Sequence, residues 1–346
     1  SASATDNKIA WYENLDGNGS FGSQQIITTN ADFAVSLYSG DFNGDGYIDV
    51  LSASRHDDKI AWYENTDGQG NFSIPQIISA IVYNLTSTHV SDIDGDGDVD
   101  VLSASKGDGK IAWYENIDGL GSFDLGLQRT VISNGSEFNS VYSADIDGDG
   151  DMDVLSASRN SDVIAWYENI NGLGDFGQQQ QITTDADGAQ SVYAIDIDGD
   201  GDMDVVSASA YDNKIAWYEN TDGLGGFGSQ QIITTNAEFA ISLYSSDLDG
   251  DGDMDIVSAS FNDNKIAWYE NTDGQGNFDS QQIITTDVLG ASSVYAADID
   301  GDGDMDILSA STSEGKIDWF ENINGLGNFS PRREISQNVI QANNVS

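Results

Sequence analysis

A Trp-centred segment recurs seven times, short β-branched and aromatic runs alternate with Gly/Asp/Asn turns, and no stretch sustains a 3.6-residue period. Together these predict an all-β fold: a seven-bladed β-propeller of four-stranded antiparallel blades. The segment reads Ile-Ala-Trp-Tyr-Glu-Asn at 9–14, 60–65, 111–116, 164–169, 215–220 and 266–271, and Ile-Asp-Trp-Phe-Glu-Asn at 317–322. Trp11, Trp62, Trp113, Trp166, Trp217, Trp268 and Trp319 are 51 residues apart except for one step of 53, whose two extra residues fall between Phe123 and Asp145. Residues 1–346 therefore read as one domain of repeated units.

Within a unit, a short run such as 191–196 leads into an Asp/Gly loop. The run Asp-Val-Val-Ser-Ala-Ser (204–209) follows, then a variable polar loop and Lys-Ile-Ala-Trp-Tyr-Glu-Asn (214–220). A Gly-rich turn precedes Gln-Gln-Ile-Ile-Thr-Thr (230–235), giving four strands. On the third strand Ile215, Trp217 and Glu219 share one face, and Ala216, Tyr218 and Asn220 the other. Bulk on both faces predicts sheets sandwiched between neighbours, with the Trp residues packed between blades. Ser1-Ala2-Ser3 matches Ser52-Ala53-Ser54, and the chain stops just short of a seventh Asp/Gly loop. The expectation is one blade shared by the N-terminal strands and segment 343–346, within a longer parent protein.

Composition narrows the chemistry. The net charge of −47, from 59 Asp+Glu against 12 Lys+Arg, excludes a nucleic-acid or anionic-membrane surface. With no Cys there is no disulfide or thiolate chemistry, and His56 and His89 alone cannot build repeated His sites. No run approaches the length of a membrane span.

The Asp/Gly loops carry the chemistry. Position 1 is Asp41, Asp92, Asp145, Asp196, Asp247 or Asp298, and position 3 is Asn43, Asp94, Asp147, Asp198, Asp249 or Asp300. Position 5 is Asp45, Asp96, Asp149, Asp200, Asp251 or Asp302. Position 7 is Tyr47, Asp98, Asp151, Asp202, Asp253 or Asp304, and position 9 is Asp49, Asp100, Asp153, Asp204, Asp255 or Asp306. Two carboxylates about 4 Å apart repel by about 4 kcal/mol at an effective dielectric near 20, so the loop is compact only around a cation. Hard oxygens at positions 1, 3 and 5, with Gly at position 6 and a backbone carbonyl at position 7, suit Ca²⁺, six ions in all. Mg²⁺ ranks second because it retains water. An EF-hand fails: position 12 is Ser, as at Ser52 and Ser207, inside a β-run rather than a Glu before a helix. The apolar residues at positions 2 and 8 should point into the blade and anchor the loop.

These Asp-x-Asp-Gly-Asp-Gly-x-x-Asp loops, with the pairs Phe21-Gly22, Phe176-Gly177 and Phe227-Gly228, resemble the FG-GAP/VCBS repeat family, which includes integrin-α propeller blades. The resemblance covers essentially the whole chain. It implies a seven-bladed, calcium-stabilised, secreted or cell-surface propeller used for binding or adhesion. Some relatives are lectins with sugar sites between blades, and some domains of this architecture are polysaccharide lyases.

Other residues read as architecture. Glu13, Glu64, Glu115, Glu168, Glu219, Glu270 and Glu321 are equivalent and look like bonds to turn amides rather than one acid/base pair. Lys8, Lys59, Lys110, Lys214, Lys265 and Lys316 should neutralise nearby loop carboxylates. The most individual positions form the loops before the third strand, beginning Ala4, Arg55, Lys106, Arg159, Ala210, Phe261 and Thr312. A ring of differing loops on a repeated frame is where ligand recognition belongs. Tyr211 and Phe261 are the candidates for stacking on a glycan, and His56 is a further candidate contact. Three functions remain open: a calcium-dependent binding or adhesion module for a glycan or extracellular protein, a structural module of a larger surface protein, and a polysaccharide lyase or hydrolase.

Overall fold

The computed structural model describes residues 1–123, 128–133, 135–337 and 339–345. Seven four-stranded antiparallel sheets form a β-propeller, and every named element is a strand. Blade 1 shows the pattern: inner strand Ala34–Gly40, second strand Asp49–Ser54, third strand Lys59–Tyr63 and outer strand Gln76–Ser79, paired in sequence order. Blades 2 to 6 begin at Leu85, Phe138, Ala189, Ala240 and Ala291. The two extra residues between Phe123 and Asp145 fall before the outer strand of blade 2, Arg129–Ile132, and residues 124–127 and 134 lie outside the described residues.

Blade 7 joins the chain ends. Its sheet order is Ala342–Asn344, Ala2–Ser3, Lys8–Trp11, Gln25–Thr28, with Ala2 opposite Asn344 and Ser3 opposite Ala342. Ala4 N donates to Gln341 O at 3.1 Å beside this pair. The expected closure holds, and only Ser346 of segment 343–346 lies outside the described residues.

The apolar core sits between blades. Each of the seven core clusters mixes two neighbours: one joins Val206, Ile215 and Trp217 of blade 4 to Leu243, Ile256 and Tyr269 of blade 5. That explains why the third strand is buried on both faces, as in Lys214–Tyr218. Each Trp lies over a turn glycine of the next blade. A Cβ added to Gly276 would stand 2.1 Å from Trp217 Cζ2, and one added to Gly225 would stand 2.2 Å from Trp166 Cζ2. The turn glycine is therefore the floor of a slot that only an indole over bare backbone fills.

A polar clamp crosses the same seam. Asn220 Nδ2 donates to Ile146 O of blade 3 at 2.8 Å, and Asn271 Nδ2 to Ile197 O of blade 4 at 2.8 Å. The same amide oxygen accepts the turn: Gly225 N donates to Asn220 Oδ1 at 3.1 Å. The final Asn of the Trp segment thus ties its own turn to the neighbour's Asp/Gly loop.

Candidate functional site

Two ends of the ring carry distinct chemistry. The Asp/Gly loops, joining inner to second strands, share one end with the Gly-rich turns. The variable loops, joining second to third strands, lie at the other.

In the Asp/Gly loop the backbone curls around its first carboxylate. Asp247 Oδ1 accepts Gly250 N at 2.7 Å and Oδ2 accepts Gly252 N at 3.1 Å. Gly250 and Gly252 hold φ of +77° and +98°, which a side chain disfavours, so glycine recurs at positions 4 and 6. Asp249 Oδ1 accepts Asp251 N at 3.3 Å, and Asp251 Oδ1 accepts Asp253 N at 2.9 Å. Successive carboxylates converge: Asp247, Asp249 and Asp251 offer oxygens within 4.8 Å of one another, as do Asp92, Asp94 and Asp96, and Asp298, Asp300 and Asp302. Asp145 and Asp147 meet Asp153, and Asp196 and Asp198 meet Asp204, within the same limit.

The donor set fits a hard divalent cation. Oδ1 of Asp92, Asp94, Asp145 and Asp300 is buried with no hydrogen-bond partner. Burial, then the adjacent position-5 carboxylate, holds Asp94, Asp147, Asp198, Asp249 and Asp300 above the ordinary carboxylate range. Buried oxygens that lack donors and repel one another are stabilised by a cation and by little else. Asp41 and Asp45, with the amide of Asn43, form the least charged of the six loops.

Position 9 does a second job. Asp204 is buried; its Oδ1 accepts Asn220 N at 2.8 Å and its Oδ2 accepts Ile197 N at 3.0 Å. The pattern repeats at Asp49, Asp100, Asp153, Asp255 and Asp306. Position 9 therefore ties the loop to the Trp segment whether or not it also meets an ion. Desolvation pushes Asp100, Asp153, Asp204 and Asp255 up to about 7, and Asp49 and Asp306 up to about 6. A raised folded-state pKa means that the metal-free fold binds protons more tightly than the unfolded chain, so its stability falls as pH rises from about 4 to about 7. A bound cation favours the ionised form and reverses the slope. In chelator the melting temperature should be higher at pH 5 than at pH 7.5, and with calcium the order should invert. Calorimetry at both pH values checks this; a metal-free melting temperature that climbs with pH would contradict it.

Two sequence expectations need correction. Position 2 is buried as expected, from Phe42 to Ile299, whereas position 8 divides: Ile48, Met203 and Met305 are exposed, while Val99 and Met152 are half-buried against the core. The inward Asp at position 9 points its neighbour to the opposite face, because successive strand residues alternate, and that face is open at Ile48, Met203 and Met305 but partly covered at Val99 and Met152. The turn amides bond the backbone carbonyls of the recurrent Glu residues, not their carboxylates: Gly228 N donates to Glu219 O at 2.8 Å. Recurrent Lys residues neutralise nearby loop carboxylates as expected, and these belong to the variable loops, at the end opposite the Asp/Gly loops. Lys59, Lys214 and Lys265 pair with Asp57, Asp212 and Asp263, two residues earlier in the variable loop, at 2.6–2.8 Å.

At that opposite end the channel opens in a cavity of about 420 Å³. The second residue of every inner strand lines it, including Asn139, Gln190 and Ser292. So do Arg55, Lys106, Arg159, Phe261 and Thr312, each the first residue of its variable loop. Phe261 thus stands at the mouth. Tyr211 joins it through Phe239, with ring centroids 6.1 and 6.2 Å apart. His56 lies across the ring, 4.5 Å from Phe33 and 3.6 Å from Asp32, outside the cavity lining. Deeper in the channel, Tyr38, His89, Tyr142, Tyr193, Tyr244 and Tyr295 form an aromatic collar with neighbouring centroids 4.3–6.0 Å apart. Burial holds His89 down at about 4, so it sits there neutral. Sequence reasoning missed the collar and Phe239; the recurring inner-strand Tyr was the available signal for the collar.

Comparison with protein-family models matches an FG-GAP-like repeat at residues 1–52, 41–103, 92–156, 145–207, 196–258 and 247–309. This chain belongs to the FG-GAP-like repeat family. In its FG-GAP repeats the Phe of the Phe-Gly pair bridges the Asn of the Trp segment, Phe227 to Asn220, and the Gly donates to the Glu carbonyl. Comparison with curated proteins finds no match. Among solved structures, the fold is similar to an Agrocybe aegerita lectin described as recognising non-reducing terminal N-acetylglucosamine, at TM-score 0.65 and 20% identity over 98% of this chain and 92% of that one. It is also similar to the periplasmic gluconolactonase of Pseudomonas aeruginosa, at TM-score 0.64 and 14% identity over 99% and 96%. At such identities the likeness establishes the fold alone.

Proposed function

We propose that this propeller is an extracellular, calcium-stabilised binding module that recognises glycans through the loop ring at its channel mouth. The observation that carries the reading is the contrast between the two ends. Six Asp/Gly loops repeat one donor set, whereas the loops at the mouth begin with seven residues of very different chemistry on the same frame. Tyr211, Phe239 and Phe261 supply aromatic faces there. Positions 1, 3 and 5 of each Asp/Gly loop would hold the ion, with position 7 through its carbonyl and position 9 behind. Calcium bound there neutralises the clustered carboxylates and pins each loop to its turn. In this reading the setting is secreted or cell-surface, where calcium modules bind at roughly 10⁻⁴–10⁻³ M.

A glycan array probed with the labelled protein, in calcium and again in chelator, tests the reading. Retention on a defined subset of glycans in calcium, lost in chelator, is expected. No retention on any glycan under either condition would defeat it. The competing enzymatic readings have separate readouts: a hydrolase requires two carboxylates in unlike environments and would release new reducing ends, whereas a lyase would release unsaturated ends from acidic polysaccharides.

A further inference from the structure

We propose that the channel mouth is a site for an acidic saccharide: its carboxylate or sulfate is held by Arg55 and Arg159, and its ring lies among Phe33, Phe239 and Phe261. The proposal takes the saccharide from the reading above; the anion site stands on its own observations.

The first observation is a pattern of pairing. The chain has 12 Lys+Arg among 59 Asp+Glu, so a cation that avoids carboxylates is exceptional. Lys8, Lys59, Lys106, Lys110, Lys214, Lys265, Lys316, Arg129, Arg332 and Arg333 each pair with an acid. Only Arg55 and Arg159 have no carboxylate within 4.0 Å among the described residues. Both line the same cavity, two blades apart. Lys106, in the blade between them, lines it too but pairs with Glu137 at 2.7 Å.

The second observation is how the two guanidinium groups are held. Arg55 Nε donates to Leu85 O at 3.1 Å, and its guanidinium lies 5.3 Å from the Phe33 ring centre. Arg159 donates through Nε and Nη2 to the Tyr211 hydroxyl at 3.1 and 2.8 Å, and stacks 5.2 Å from the Tyr211 ring. Neutral acceptors and aromatic faces fix both groups, and the carboxylate that Arg159 feels, Glu137, is itself paired with Lys106. A guanidinium has five N–H donors in a planar fork matched to carboxylate or sulfate, and most of those donors have no protein acceptor here.

The third observation is strain. Phe33 and Phe239 hold φ of +58° and +60°, the left-handed region that bulky residues avoid. The matching residues of blades 4 and 6 are Gly188 and Gly290, which reach the same region freely. Asn84 and Gln341 hold the same region in blades 2 and 7, at +55° and +57°, so the frame sets this backbone and the aromatic ring is what Phe33 and Phe239 add to the mouth. The channel wall adds polar groups for hydroxyls: Asn139 Nδ2 donates to Gln190 Oε1 at 2.7 Å, and Gln190 Nε2 is buried with no acceptor. Paired cations, flat apolar faces and neutral amides around about 420 Å³ match one anionic sugar at a chain end. The net charge of −47 repels anions at a distance, so an anion is held only where cations without carboxylate partners stand together, as at this mouth.

Calcium-loaded protein should be titrated calorimetrically with galacturonic acid, galactose 6-sulfate, galactose, benzoate and inorganic sulfate. The variants are Arg55→Gln, Arg159→Gln and, as a control on the outer strand of blade 6, Arg333→Gln. At least one acidic sugar should bind tenfold or more tightly than galactose, and each mouth variant should lose at least tenfold while melting like the parent. Arg333→Gln should leave binding unchanged. Which acidic sugar binds distinguishes carboxylate from sulfate. Equal binding of galactose and the acidic sugars, or affinity unchanged in both mouth variants, would overturn the proposal while leaving glycan recognition standing. Arginine-dependent binding of benzoate or sulfate with no sugar bound would overturn the saccharide assignment together with the reading on which it rests.

Discussion

Removing calcium from this protein is expected to lower its melting temperature by roughly 10 °C. Each loop that binds an ion in the folded state alone contributes RT ln(1 + [Ca²⁺]/Kd), about 1.4 kcal/mol at a free concentration tenfold above Kd. Six such loops sum to about 8 kcal/mol, comparable with the whole stability of an ordinary domain, about 5–15 kcal/mol. The loss has a structural route. The loop carboxylates, among them the buried and unpartnered Oδ1 atoms of Asp92, Asp94, Asp145 and Asp300, would repel without a counter-ion. The position-2 carbonyls of those loops accept the Asn clamps of the next blade, as Ile146 O accepts Asn220. Loosening a loop therefore loosens a seam. Scanning calorimetry in millimolar calcium and in excess chelator measures the difference, and coincident melting curves would rule the coupling out.

The second large effect belongs to the seams. Gly276→Ala places a methyl 2.1 Å from Trp217 Cζ2 on a backbone at φ +74°. The indole is 2% exposed and has nowhere to retreat. Overpacking costs about 1–3 kcal/mol and a left-handed alanine adds about 1–2 kcal/mol, so a total of about 3 kcal/mol or more is expected. Gly17→Ala is the matched comparison. Gly17 has φ of +68° with nothing within 4 Å of its would-be Cβ, so it should cost only the backbone share. Chemical denaturation of both variants in calcium reads the contrast. Equal losses would show that the Trp slot carries no special packing.

Periodicity made most of the fold readable. The Trp segment at 51-residue steps set the blade count, and alternation along 214–220 placed Trp217 and Tyr218 on opposite buried faces. The donor spacing of the Asp/Gly loop was likewise visible, because ligands separated by one residue on a tight loop converge whatever surrounds them. What stayed hidden depends on long-range contact. Position 8 looked like an anchor because it is apolar, yet the buried Asp at position 9 sets the parity of the strand and turns Met203 outward. Arg55 and Arg159 are ordinary basic residues in the chain; their significance comes from which carboxylates fail to reach them. The left-handed Phe33 and Phe239 carry no local signal, since glycine marks that conformation only where it is present, as at Gly188 and Gly290.

The most direct test is to count the ions. Native mass spectrometry of protein exchanged into millimolar calcium, alongside an Asp196→Ala/Asp198→Ala/Asp200→Ala variant, reads occupancy loop by loop. Six calcium ions per chain are expected in the parent and five in the variant. A parent mass equal to that of the bare polypeptide, or a variant that retains every ion of the parent, would contradict the claim that these loops fold around calcium.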